Sequence, residues 1–128
     1  MPTPFGLRTL RQISMNAKDL DRATAFYRDT LGVPFLFQVP NMSFFDLSGV
    51  RLLVGLAEDP AHDHPGSVLY FSVPDMDAAH AALTERGVAF NGEPHFVADM
   101  GDHDLWMGFF TDSEGNQLAL LEERTKAS

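Results

Sequence analysis

The chain has no cysteine among its 128 residues, which excludes disulfides and thiolate chemistry. It has no apolar run approaching the roughly 20 residues a helix needs to cross a bilayer. The first ten residues show neither a long apolar stretch nor a small-residue cleavage pattern, so no secretory leader is expected and the cytoplasm is the expected compartment. Basic residues are scarce: 9 Lys and Arg stand against 18 Asp and Glu, for a net charge of −9. Such a balance gives no electrostatic footprint for nucleic acid or an anionic membrane, so neither is expected as a partner. It serves solubility first and, for a ligand, favours a cation. There is no Gly-x-Ser-x-Gly nucleophile motif and no glycine-rich phosphate loop.

Hydrophobic residues, 11 Phe among them, make up 45% of the chain, enough to bury the core of one domain over residues 1–128. The strongest internal signal is a duplication. Ser14-Met-Asn-Ala-Lys-Asp19-Leu-Asp-Arg-Ala aligns with Tyr70-Phe-Ser-Val-Pro-Asp75-Met-Asp-Ala-Ala, with the two aspartates 56 residues apart. Phe44-Phe45-Asp46-Leu-Ser-Gly49-Val-Arg-Leu52 matches Phe109-Phe110-Thr-Asp112-Ser-Glu-Gly115-Asn-Gln-Leu118, with the two leucines 66 residues apart. The difference places a longer loop in the second copy, around Gly92 to Asp104.

Local signals agree with two copies of one unit. Asp19 and Asp75 are good helix N-caps. Leu20, Ala23, Phe26, Tyr27 and Leu31 fall at helical spacing, as do Met76, Ala79, Ala82 and Leu83. Gly32 and Gly87 stand where a left-handed residue stops a helix. These signals predict helices over 19–31 and 75–86. They predict strands over 10–16, 34–39, 42–47 and 50–56, then 67–73, 88–90, 95–99 with 105–111, and 117–122. The first module spans about 8–57 and the second about 67–122. Between them, 58–66 carries Pro60 and Pro65 and reads as a linker. The expected fold is α+β: two βαβββ modules whose curved mixed sheets form a cup, with helices outside.

Gln12 through Gly32, with its Asp19-Leu…Phe26-Tyr27…Leu31-Gly32 pattern, resembles the opening of vicinal-oxygen-chelate proteins, the glyoxalase, bleomycin-resistance and dioxygenase relatives. Phe109 through Leu118 is similar to their C-terminal hairpin. The resemblance covers Leu7 to Glu122. It implies a cup holding a divalent metal through four equivalent strand positions, and a homodimer. On this chain those positions are Gln12, Leu53, Val68 and Ala119. Three have no donor side chain, and a catalytic metal needs about three protein ligands. No cofactor is therefore expected, and a divalent metal is disfavoured.

Period-2 alternation predicts a cup lining of Gln12, Ser14 and Asn16, of Val68, Tyr70 and Ser72, and of Ala119 and Leu121; the resemblance adds Met107 and Phe109, and His95, after Pro94 at a strand start, is expected at the cup mouth. Ile13, Met15, Leu69, Phe71, Leu118 and Leu120 should face the helices. Each lining residue can equally be core. His62 and His64, with Asp59 and Asp63, cluster on the linker, where nothing fixes ligand geometry. His80 reads as solvated surface. His95 and His103 bracket the part of the second copy with no counterpart in the first, and a histidine there can act as acid or base near neutral pH. Trp106, the single tryptophan, reads as core or a dimer contact.

Two functions follow. One is a metal-independent protein that binds a small organic molecule in an apolar cup, as the bleomycin-resistance relatives do. The other is a glyoxalase- or dioxygenase-like enzyme of lyase, isomerase or dioxygenase type. It would use a metal at a non-standard set such as Gln12 with His95, or metal-free acid–base chemistry through His95. The first is preferred.

Overall fold

Aspartates start the two helices and glycines stop them. Asp19 and Asp75 sit in extended backbone, and each accepts a hydrogen bond of 3.1 Å from the N–H three residues on, Arg22 and Ala78. A short carboxylate satisfies a free first-turn donor and complements the positive end of the helix. Gly32 and Gly87 end the helices at φ +73° and +93°, where a Cβ would be strained. In the computed structural model, which describes residues 5, 7, 9–57 and 67–126, helix α1 is Leu20–Ala25 and helix α2 is Met76–Glu85. The linker 58–66, with His62 and His64, lies outside the described residues.

The strands are β1 Gln12–Ala17, β2 Phe35–Val39, β3 Met42–Leu47, β4 Val50–Leu56, β5 Leu69–Ser72, β6 His95–Asp99, β7 His103–Thr111 and β8 Gln117–Thr125. They form two open four-stranded mixed sheets, ordered β1-β4-β3-β2 and β5-β8-β7-β6. Each is a βαβββ unit with one parallel pair, β1 with β4 and β5 with β8. The β1 edge of one sheet and the β5 edge of the other meet across a cleft lined by Ile13, Leu47, Ser48 and Val68–Ser72.

Three expectations are corrected. Residues 88–90 make no strand: Phe90 forms a single bridge to Phe110, then Gly92 turns at φ +86° and Pro94 offers no N–H. The second strand of that module is instead β6. It pairs with β7 in a hairpin whose tip is closed by Met100 N–H on the His103 carbonyl, 2.9 Å. The helix expected over 19–31 is α-helical only to Ala25 and widens into a π turn over Phe26–Thr30, where Leu31 N–H reaches the Phe26 carbonyl at 2.9 Å. His80, expected on the surface, is half-buried with its ring 4.3 Å from that of Phe90.

Alternation sorts the two faces of each sheet. Met15, Phe45, Leu52 and Val54 are buried under α1, and Phe110, Leu118 and Leu120 under α2, in one continuous cluster. Trp106 packs against this cluster, edge-on to Phe96, with the Arg124 guanidinium 4.2 Å from its ring centroid. It is therefore on the helix side, not in the cup.

Polar groups fix how the modules sit together. The β7–β8 turn of the second module grips the first. Tyr27, fully buried, donates to Asp112 Oδ2 at 2.7 Å. Asn116 Nδ2 donates to the same oxygen at 2.8 Å and to the Asn16 carbonyl of β1 at 2.9 Å. Asp112 Oδ1 accepts the N–H groups of Glu114 and Asn116, each at 2.8 Å. Burial, then the Asp112 charge and hydrogen bond, push the Tyr27 hydroxyl far above its ordinary value. Glu114 reaches the start of α1, where its carboxylate takes the N–H groups of Lys18 and Asp19 at 2.8 and 2.9 Å and Arg22 Nε at 2.7 Å. Burial raises the Glu114 carboxyl, but the bonds from Arg22, Asp19, Ser113 and Lys18 together outweigh it and hold it at about 2.

Tyr27→Phe removes a hydrogen bond to a buried charge and should cost about 1.5–3 kcal/mol in urea unfolding, with the slope unchanged. Glu114 has its folded value depressed below 4.5, so its stabilisation is complete above that pH and is lost as pH falls from there through about 2. The stability gap between wild type and Glu114→Gln should therefore stay constant above pH 4.5 and close towards pH 2. Urea midpoints across that range check it.

Candidate functional site

The faces turned away from the helices carry half-exposed rings beside a few polar groups. On the second sheet, Tyr70, Ala119 and Phe109 form one cross-strand row. Ser72, Leu121 and Met107 form the next, with His95 opposite Met107 on β6. Tyr70 is half-exposed and meets Phe109 edge-on at 6.3 Å. His95 stacks on the other side of the same ring, 6.2 Å between centroids. Ala119 is fully buried between Tyr70 and Phe109, so it forms a floor that a ligand does not touch.

On the first sheet, Ser14, Leu53, Phe44 and Phe37 form the matching row. Phe37 and Phe44 lie 4.8 Å apart at 31°. The neighbouring row is Gln12, Arg51 and Asp46. Arg51 Nε donates to Gln12 Oε1 at 2.7 Å, and its guanidinium lies 5.4 Å from the centre of the Phe44 ring. The sequence reading places Leu53 on this face but not Arg51, two residues earlier on the same strand. Parity alone carries the signal. Phe44 is aligned with Phe109 by the internal repeat, and carrying the cup face across that alignment finds it; Phe37 has no such aligned partner in the sequence to set the phase of β2.

The expected residues thus fall into two groups. Tyr70, His95, Met107, Phe109 and Ala119 come together on the second sheet, and Gln12 and Ser14 stand on the first. No hydrogen bond or ring contact joins Gln12 to His95. His95 Nδ1 faces the Glu93 carbonyl at 3.2 Å, and among the described residues no carboxylate is hydrogen-bonded to the ring. His103 does have acidic partners, Asp102 at 2.6 Å and Glu123 at 3.2 Å, but it lies at the far end of β7 beside the hairpin tip.

The profile of the Glyoxalase/Bleomycin resistance protein/Dioxygenase superfamily matches residues 9–123. The chain belongs to this superfamily. A superfamily member from Sphaerobacter thermophilus is 28% identical and aligns over 91% of this chain and 98% of its own, with TM-score 0.74. A lactoylglutathione lyase from Agrobacterium tumefaciens is 20% identical over 94% and 96%, with TM-score 0.71. TnmS3, an antibiotic binding protein from Streptomyces sp. CB03234, is 23% identical over 93% and 98%, also with TM-score 0.71. These last two share the fold and carry different functions.

The superfamily's metal positions test poorly on this chain. Leu53 and Ala119 are alkyl, and so is Val68 just before β5. Gln12 is the one side chain with an oxygen, and that oxygen already accepts from a guanidinium. A divalent cation there would meet a positive charge across one hydrogen bond. Among the described residues, no three His, Asp or Glu side chains converge. The residues present do not fit a divalent metal at these positions.

Proposed function

We propose that this superfamily member binds a small aromatic molecule in the cup between its helix-free faces and does so without a metal. The observation that carries the reading is the pairing of half-exposed rings on both faces, Phe37 with Phe44 and Tyr70 with Phe109 and His95, around positions that offer a metal no donor. Rings of this kind supply most of the contact area of a small-molecule pocket, and a few polar groups such as Ser14 and Gln12 set orientation. The antibiotic binding protein of the same fold supports the reading by analogy. An acid–base role for His95 has less support, since the ring faces only a carbonyl of its own segment.

We further propose a homodimer. Both outer strands expose apolar side chains: Leu36, Phe37 and Val39 on β2, Phe96 and Val97 on β6, with Met100 at the hairpin tip. An edge strand with such a face is a ready template for a second chain. The absence of cysteine accords with a cytoplasmic setting, and among the described residues no helix is long and apolar enough to cross a membrane.

Screening aromatic compounds by thermal shift should find binders that raise the melting midpoint, since a ligand selective for the folded state stabilises it. Tyr70→Ala and Phe109→Ala should each lose that shift, and an unchanged shift in both would remove the cup as the site. Calorimetric titration with nickel or zinc should show no stoichiometric binding. Micromolar or tighter binding of one ion per chain would sink the metal-free reading. Light scattering after gel filtration should give twice the 14.2 kDa chain mass.

A further inference from the structure

Arg51 is a cation on the helix-free face of the first sheet, in a row with Gln12 and Asp46 and next to the apolar row of Leu53, Phe44 and Phe37. Two contacts fix its plane without neutralising it. Nε donates to the Gln12 amide oxygen at 2.7 Å, and the Phe44 ring lies under the guanidinium at 5.4 Å. Neither an amide nor a ring carries net charge, so the full positive charge remains. The carboxylate directly across the strands, Asp46, is turned to the β3–β4 turn, where Oδ1 accepts the Gly49 N–H at 3.0 Å. Among the described residues nothing pairs with Nη1 or Nη2 of Arg51.

That leaves one edge of the guanidinium open. Two parallel N–H donors on a planar fork match two oxygens of an anion and repel a cation, and a carboxylate is the anion that continues in plane into an aromatic ring. Beside this edge runs the apolar row of Leu53, Phe44 and Phe37, the last 47% exposed. We infer that Arg51 is an anion-recognition residue, so that the ligand is a planar aromatic acid with its carboxylate on Arg51 and its ring against Phe44 and Phe37. The inference rests on the reading of the cup as a ligand site and gives that ligand a chemical class. Gln12 becomes a positioning residue: its oxygen, which a metal would need, holds the guanidinium plane instead.

The isosteric probes 2-naphthoate and 2-naphthamide differ in charge and little else. They are titrated into the full chain, with EDTA present and absent, and followed by naphthalene fluorescence. Wild type should bind the acid about tenfold tighter than the amide, the effect of a charge-assisted bidentate contact. Arg51→Met should bring the ratio to about one while the amide's affinity stays within about threefold. Arg51→Lys should keep part of the preference, and Gln12→Ala should reduce it. Arg51→Gln serves as a second neutral variant if Arg51→Met melts early. Equal affinities in wild type, or a preference that survives both neutral variants, would overturn the inference and leave the cup reading standing if Tyr70→Ala still abolishes binding. A preference abolished by EDTA would overturn it in favour of a metal. Failure of the acid to bind would overturn it too, and the screen with cationic and neutral aromatics then decides the cup reading separately.

Discussion

The Tyr27–Asp112 hydrogen bond is the buried centre of the polar contacts that join the two modules beside their shared apolar cluster. Apolar contact is non-directional and sets no rotation of one sheet against the other. Asp112 does, because both its oxygens are committed: Oδ2 to Tyr27 and Asn116, Oδ1 to two N–H groups of its own turn. A buried carboxylate with all its partners in place tolerates little displacement, since any lost bond leaves charge uncompensated in a poorly solvated site. The same turn leads out of β7 and into β8, the strands that carry Met107, Phe109, Ala119 and Leu121. Its other end holds the carbonyl of Asn16, two residues from Ser14 on β1. The relative placement of the two helix-free faces therefore follows from one polar network on the opposite side of the sheets.

The duplication is faithful where the cup is and loose elsewhere. Ser14 and Tyr70, Leu53 and Ala119, and Phe44 and Phe109 occupy matching places in matching rows. Outside, Phe26 and Tyr27 of the first helix correspond to Ala82 and Leu83 of the second. An apolar crevice of about 260 Å³ lies at this second pair, lined by Leu31, Phe71, Ala82, Leu83 and Phe110. The network is equally one-sided. Glu114 of the second module caps the start of α1, whereas the Met76 N–H of α2 is met by Glu122 of its own module at 2.6 Å. The β3–β4 turn carries no acid that could reach across as Glu114 does.

Most of the fold was legible because its signals are local. Asp caps, Gly stops and period-2 alternation each depend on a few neighbouring residues, and the internal repeat supplied the register that local signals lack. The spacings of 56 and 66 residues match Ser14 with Tyr70 and Leu53 with Ala119, and the strands pair Ser14 with Leu53 and Tyr70 with Ala119 in equivalent rows. What stayed hidden depends on partners distant in sequence. Tyr27 reads as one more apolar helix position, and nothing nearby says that its hydroxyl finds Asp112, 85 residues on. The strand expected at 88–90 fails because Gly92 and Pro94 outweigh three apolar residues. Arg51 was in plain view by parity, but a charged residue in a short strand is usually a solvated one, and only the register shows Gln12 and Phe44 holding it.

Charge illustrates the difference between the two scales. A net charge of −9 acts on an approaching ligand from a distance, and at physiological salt it is screened beyond about 8 Å. By that measure a cation is favoured. Inside the cup the balance is set by groups in contact, where a single guanidinium held 2.7 Å from Gln12 outweighs a diffuse acidic surface. An overall charge therefore speaks to encounter and solubility, while the sign of the ligand is decided by the residue whose donors face it. Three of the four superfamily positions offer a metal no donor, and the oxygen of the fourth, Gln12, is engaged by Arg51, so the positive charge at this place is that of the protein's own side chain.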